Sequence, residues 1–489
     1  MNHLIRRQYL HVDVNGTEAD GIKLQRDLPE LCRQRLLPAI EQVLQSVALQ
    51  DEQHLTIERL EIDTGILPFE RLEHDLCTAV ALALEQALHD LPVPERHPSS
   101  QATTGNICYR TERQRCGEAL DYFLTTGRLP WFFRLPDGKN LEQAVLDSWR
   151  KTGTANSGSL NAVIRTLSSS RARKRLLYQF SPAFSAELLL RLSPESQKNL
   201  QAVLQALHAA DAPPVDVKNF VRQLWETAFA SVAAGETSTA PSLAARAWAS
   251  FATSAPQHSE LLSVIQRHWP AAVENGFSKP QNGITYSQRM ETQQNGRPSH
   301  NGTDRYAADV VEKQLSTAAD SDELEDGVYI DCAGLVLLHP FLPRFFEALG
   351  IAAEDRLLQS DRALCFLHFL ATGQTVAPEY ALVLPKILCN VPLEASVESL
   401  IELSSAELEE ATALLDAVVH HWEALRNTSI DGLRGTFLIR PGKVSLKNDG
   451  DWLLQVEAQS FDILLDQLPW GIGMIKLPWM EKMLWVEWR

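Results

Sequence analysis

The chain has 489 residues, with 45 Lys and Arg against 62 Asp and Glu, a formal net charge of −17 and a pI of 5.3. At 45% hydrophobic and 22% charged it can bury ordinary cores, and length alone suggests about three domains. The acidic balance argues against broad binding to nucleic acid or anionic membrane, and 24 Gly with 25 Pro exclude collagen-like or Pro-rich low complexity.

The N-terminal residues 1–95 read as a β-α-β-α unit. In 4–14 (LIRRQYLHVDV), Leu10, Val12 and Val14 share one face of a strand, and Asn15-Gly16 follows as a turn. Leu24, Leu28, Leu31, Leu36, Ile40 and Val43 recur at helical spacing, with Pro38 expected to kink or divide that helix. Residues 55–62 (LTIERLEI) read as a second strand, and Phe69 to Leu88 as a second amphipathic helix. Residues 91–106 read as a linker.

A helical region is expected over 108–232, with Ser193-Pro194-Glu195 as a helix start. Apolar periodicity thins from 233, and 233–327 reads by composition as a long flexible linker ending in the acidic run Asp320–Asp326. Order resumes with VYIDCAGLVLLHPFLPRFFEALG, opening a C-terminal domain at 328–489. Ser404 and Glu407 have capping-box spacing for a helix over 404–426. Short strand-like pieces close the chain at 435–440, 452–457, 472–477 and 484–488. The expected fold is α+β, predominantly helical, ending in a small Trp-rich β element. ALDYFLTTG (119–127) and ALCFLHFLATG (363–373) both end a helix in F-L-x-T-G, through duplication or by chance.

Chemistry is hard to find. Seven scattered cysteines lack C-x-x-C spacing, no H-E-x-x-H or zinc cluster occurs, and there is neither a G-x-S-x-G elbow nor a phosphate-binding P-loop. His420-His421 lacks the i, i+4 spacing of a helical metal pair, and His339 sits in an apolar block as a structural histidine. The loop around Asp431, Gly432, Arg434 and Gly435 fits ordinary turn chemistry better than a polar site. The run Arg171–Arg175 fits a solvated helix face better than a phosphate contact. We therefore expect no catalytic, cofactor or metal site. No run of about 18 apolar residues predicts a membrane span, and no signal peptide is apparent, so residence in a reducing cytoplasm is expected. One cluster stands out. Trp470, Trp479, Trp485 and Trp488 lie within the last twenty residues and are the candidate partner-binding residues, an aromatic core being the equal alternative.

Several long blocks carry a resemblance. HLIRRQYLHVDVNG, LCRQRLLPAIEQVL, IERLEIDTGIL, ALDYFLTTGRLPWF, AGLVLLHPFLPRFFEALG and FLATG resemble the contractile injection system tape measure proteins. The last hundred residues resemble them most, at HHWEALRNTSIDGLRGTFLIRPGK, DWLLQVE and FDILLDQLPWGIGMIKLPWMEKMLWVEW. The resemblance implies a structural role in assembling a bacterial phage-tail-like particle and setting its tube and sheath length. Its implied partners are the inner tube protein, the baseplate hub or spike proteins and a tube-terminating cap protein. Assembly in the bacterial cytoplasm and residence inside the released tube are implied too. A scaffold or cargo-loading chaperone without ruler activity is the alternative. As one helix the chain would span about 730 Å, but prolines interrupt it, the longest stretch without one being Leu393–Arg440. The 233–327 stretch is the expected place for length to vary, since insertion there breaks no core.

Overall fold

The structure, a computed structural model, describes residues 3, 5, 8–46, 53–91, 103–104, 107–136, 138–151, 157–208, 214–254, 265–269, 324, 326–399 and 401–488. The chain divides into two compact units, Met1–Glu118 with Trp131–Gly153, and Ala119–Pro130 with Thr154–Arg489. The architecture is the expected predominantly helical α+β.

In the first unit, helical backbone runs unbroken from Glu18 to Ser46. Thr17 caps it, its hydroxyl accepting from the Asp20 N–H while the Asp20 carboxylate accepts from the Thr17 N–H. Helix α1 (Glu18–Leu31) passes into a π turn (Cys32–Leu36) and then α2 (Leu37–Ser46). Pro38 neither ends nor splits the helix. The π turn just before it, in which the Leu37 N–H reaches the Cys32 carbonyl, widens the backbone to accommodate the ring and the missing donor. Strand β1 (Gln53–Ile57) and helix α3 (Leu72–His89) follow. Leu36, Ile40, Leu76, Val80 and Leu84 form a small core between the two helices.

The sheet differs from the expected β-α-β-α order. Residues 8–14 take no regular secondary structure and join no sheet. Strands β2 (Thr103–Thr104) and β3 (Ile107–Thr111) come instead from the stretch read as linker and helix. The order is β1-β3-β2, with β1 and β3 antiparallel in the register His54 opposite Arg110. Because β3 returns to β1, residues 91–106 connect elements of one unit rather than two domains. Helix α4 (Glu112–Thr126) crosses the unit boundary, and α5 (Leu141–Lys151) returns to the first unit.

The second unit holds helices α6 (Ser157–Thr166), α7 (Ser170–Gln179), α8 (Pro182–Leu192), α9 (Pro194–His208), α10 (Pro214–Ala233) and α11 (Ala240–Ser254). The linker expected from 233 therefore starts too early. Leu243, Ala244, Ala247, Trp248 and Phe251 are buried at helical spacing, and Phe220 of α10 packs edge-on against Trp248 and Phe251. Most of the remaining linker expectation, residues 255–264 and 270–323, lies outside the described residues.

The C-terminal part carries β4 (Val328–Ile330), a 3-10 turn (Ala333–Leu338), α12 (Leu342–Ala348) and a β5–β6 hairpin (Ala352–Ala353, Arg356–Leu357). Then come α13 (Ser360–Thr372), α14 (Val383–Leu388) and α15 (Ser405–His421), the last begun by the predicted Ser404–Glu407 capping box. Residues 435–440 are not a strand. Helix α16 (Ile430–Leu433) continues into a π turn (Arg434–Leu438), so that Leu433 and Phe437, four apart, are both buried. Strands β7 (Gly442–Leu446), β8 (Trp452–Val456), β9 (Met474–Ile475) and β10 (Leu484–Trp488) complete a five-stranded sheet ordered β4-β7-β8-β10-β9. β8 and β10 run parallel, with Leu484 opposite Trp452, across a crossover that includes a 3-10 turn (Ser460–Gln467).

Candidate functional site

The most constrained polar group is a fully buried charge cluster in the second unit. Helix α7 supplies Arg175, a turn following Pro378 supplies Glu379, and α14 supplies Lys386. Glu379 receives Arg175 Nε at 2.9 Å on one carboxylate oxygen and Lys386 Nζ at 2.8 Å on the other. Arg175 also donates to the carbonyls of Leu124 (2.6 Å), Thr125 (3.0 Å) and Glu394 (2.6 Å). Lys386 donates to Leu393 at 2.8 Å and Ala395 at 2.7 Å, which uses all three ammonium protons. Burial holds Lys386 below the usual lysine value, while Glu379 pulls it back up. With every proton engaged, this lysine is a strut and not a nucleophile.

The cluster lies at a seam between helices from before residue 255 and the core after residue 327. Further bonds follow the seam: Gln179 to the Val397 carbonyl (2.7 Å), the Ser399 N–H to Tyr178 (3.2 Å) and Arg222 to Glu398 (2.7 Å). The basic run 171–175 is thus neither a phosphate contact nor a solvated face. Its members are half-buried or buried, and Arg173 donates to the carbonyls of Leu167 and Ser168.

The two F-L-x-T-G segments adopt one geometry. Gly127 and Gly373 take φ of +79° and +74°, with N–H groups bonded to Phe123 and Phe369 at 2.8 and 2.7 Å. Thr126 and Thr372 each donate to the carbonyl four residues back and accept from the N–H two residues on. A distant arginine then caps each helix: Arg175 at Leu124 and Thr125, Arg434 at Phe369 and Leu370. Arg434, the cation of the loop around Asp431 and Gly435, is occupied as this cap, and its guanidinium lies 5.4 Å from the Phe369 ring centre.

The four tryptophans predicted as partner-binding residues separate by sheet face. Their indole N–H groups donate to Leu337 (Trp470, 3.1 Å), Leu388 (Trp479, 2.7 Å), Asp451 (Trp485, 3.2 Å) and Asp462 (Trp488, 3.0 Å). Trp470, Trp479 and Trp488 pack half-buried against the main core. Trp485 lies on the opposite face. Val444, Leu454, Leu484 and Val486 point into the core, so the alternate positions Lys443, Leu453, Gln455 and Trp485 line the outer face with Tyr329 and Met474. There Tyr329 and Met474 are 52% and 55% exposed, and Lys447 Nζ sits 4.6 Å from the Trp485 ring centre.

Burial pushes the thiols of Cys116, Cys332 and Cys365 up to about 12, so none is a thiolate at neutral pH. Burial likewise lowers His339 and takes His368 down to about 4, suiting neutral packing groups. Among the described residues no His, Cys, Asp or Glu group could hold a metal ion, and no helix is long and apolar enough to cross a membrane. Sequence reasoning missed Arg175, Glu379 and Lys386. The available signal was a lone lysine inside the apolar run ALVLPKILC, which forecasts a buried, paired charge.

The family model described as contractile injection system tape measure protein matches residues 2–488, nearly the whole chain, and the chain belongs to that family. No curated protein and no solved structure matches it.

Proposed function

We propose that this member of the contractile injection system tape measure family sets tube length with its chain drawn out, the folded form being the state before or after measurement. Membership, carried by the match over residues 2–488, gives the chain a structural and assembly role in a contractile injection system. The drawn-out state is favoured by dimensions. The longest helical run among the described residues, Glu18–Ser46, rises about 43 Å. The whole chain spans roughly 1,600 Å when extended. The proposed partners are the inner tube protein, hub or spike proteins at the baseplate, and a tube-terminating cap, met during assembly in the bacterial cytoplasm. The outer face around Trp485 is the proposed partner surface of the C-terminal sheet. It is supported by the exposure of Tyr329 and Met474 beside it.

The test is particle length by negative-stain electron microscopy after inserting forty helix-forming residues between Gly296 and Asn301, in the parent chain and in Glu379→Gln. A ruler lengthens the tube by about 60 Å if the insert threads as helix and by up to about 130 Å if extended, with a sharp distribution. Unchanged length at normal yield in both backgrounds refutes the ruler and favours the scaffold or chaperone reading.

A further inference from the structure

We propose that the C-terminal sheet is a mechanical clamp that resists tension along the chain, while the sheet of the first unit opens under the same tension. Strand direction sets the loading. β4 is antiparallel to β7, β7 is antiparallel to β8, and β10 is parallel to β8. β4, β8 and β10 therefore point the same way, and the chain enters at Val328 and leaves at Trp488 from opposite ends of the sheet. Tension through these two points drives the strands lengthwise past one another. Ladder hydrogen bonds lie across the strands, so this shear strains all of them at once.

β10 is held on both edges. It shares five register pairs with β8, from Leu484 opposite Trp452 to Trp488 opposite Val456. On its other edge it pairs with β9, and the Val486 N–H reaches the Gly473 carbonyl at 3.0 Å. Leu484 and Val486 are buried in the core. The far end of the strand is pinned as well. The Trp488 indole donates to Asp462 at 3.0 Å, and the buried Arg440 donates to the same carboxylate at 2.6 and 2.8 Å. The Arg440 guanidinium lies 5.2 Å from the Trp488 ring centre. Arg440 precedes β7, so the pin ties the end of β10 across β8 to the start of β7.

The first unit is built the other way. β1 and β3 are antiparallel with Gln53 opposite Thr111, so a chain entering at Gln53 and leaving at Thr111 is pulled from one end of the pair. Such a pair unzips residue by residue. Each opened pair lets out about 6.8 Å, two strands at about 3.4 Å each. Shear instead loses the five β8–β10 pairs within about one hydrogen-bond length, roughly 3 Å. Force is energy over distance, so for equal pairs the two forces differ by up to roughly tenfold. The use of the clamp rests on the drawn-out chain proposed above, but its mechanics does not. The two fail separately, since tube length reports the ruler and rupture force reports the clamp.

The test is single-molecule force spectroscopy on the full chain. It is held by a C-terminal tag and by an azide-bearing side chain introduced at position 448 or 457. Asn448 and Glu457 are exposed and lie beyond opposite ends of β8, so neither tether disturbs a packed side chain. Held at 448, β10 is sheared along β8; held at 457, the same pair is unzipped. The extensions identify the events: about 140 Å for 489 − 448 = 41 residues, and about 110 Å for 489 − 457 = 32. At one loading rate the force from 448 should exceed that from 457 by at least about threefold. Equal forces, or a larger force from 457, overturn the proposal. Drawn between its two ends, the full chain should lose residues 53–111 at lower force than residues 328–488. The reverse order overturns it too.

Discussion

Replacing Glu379 by Gln tests the charge cluster most directly. The substitution keeps shape but removes the carboxylate bonded to both Arg175 and Lys386, and it turns one carboxylate oxygen into an NH2 that must face a donor. At separations of 2.8 and 2.9 Å, each contact is worth about 6 kcal/mol gross at an effective dielectric near 20. Desolvation and the mutual repulsion of the two cations offset much of that. The net cost of stranding a buried charge by removing its partner is about 3–5 kcal/mol. Denaturant unfolding followed by tryptophan fluorescence reports it, because Trp422 lies buried in the same unit. Removing all three charges together, as Arg175→Met, Glu379→Leu and Lys386→Met, should cost less than the sum of the single changes, since no ion is left alone. A Glu379→Gln loss below about 1 kcal/mol, or strictly additive costs, refutes this account of the cluster.

Three glycines with positive φ form a graded series for thermal or denaturant unfolding. Gly235→Ala (φ +70°, open space) should cost about 1 kcal/mol of backbone strain, and Gly373→Ala slightly more, its Cβ 3.2 Å from the movable Arg434 Nη1. Gly127→Ala should cost the most, roughly 3 kcal/mol, because its Cβ displaces the Glu379 carboxylate, whose Cδ lies 2.9 Å away. His368 makes the second unit acid-labile. Its folded value near 4 lies below the ordinary histidine value of 6.5, so the unfolded chain binds the extra proton. Stability is full above about 6.5, falls by about 2 kcal/mol between pH 7.5 and pH 5, and stops falling below about 4. The melting temperature of His368→Leu should lose that part of the pH dependence. Ser404→Ala removes the hydroxyl half of the α15 capping box, the backbone N–H at 404 still donating to Glu407, and should destabilise by about 1 kcal/mol in the same denaturant assay.

Legibility followed the strength of local pattern. β8 and β10 were readable because Trp452–Val456 and Leu484–Trp488 alternate on a half-buried sheet, and α15 because Ser404 and Glu407 declare its start. The parallel pairing of β8 with β10 was not, since pairing is a long-range choice that no window contains. Residues 435–440 misled because an apolar run looks alike in strand and helix, and only the packing of both Leu433 and Phe437 into the core decides for the helical turn. α11 was lost in the linker because its buried face uses Ala244 and Ala247, small residues that weaken the periodic signal. Arg175 sat in a charge run, where local reading assigns water. Its partner lies 204 residues away.

The seam pinned by Arg175, Glu379, Arg222 and Glu398 makes the intervening stretch a loop in the topological sense, leaving from and returning to one compact unit. While the seam is shut, its two sides stay fixed relative to one another whatever number of residues is inserted between them. For flexible inserts the closure entropy grows only as the logarithm of loop length, so forty added residues cost on the order of 0.5 kcal/mol. A lineage of such chains can change stored length almost without changing the stability of the folded body. Drawn from the end, the same chain should release an inserted length in one step when the seam parts, so a pulling experiment should show an extension whose size tracks the insert.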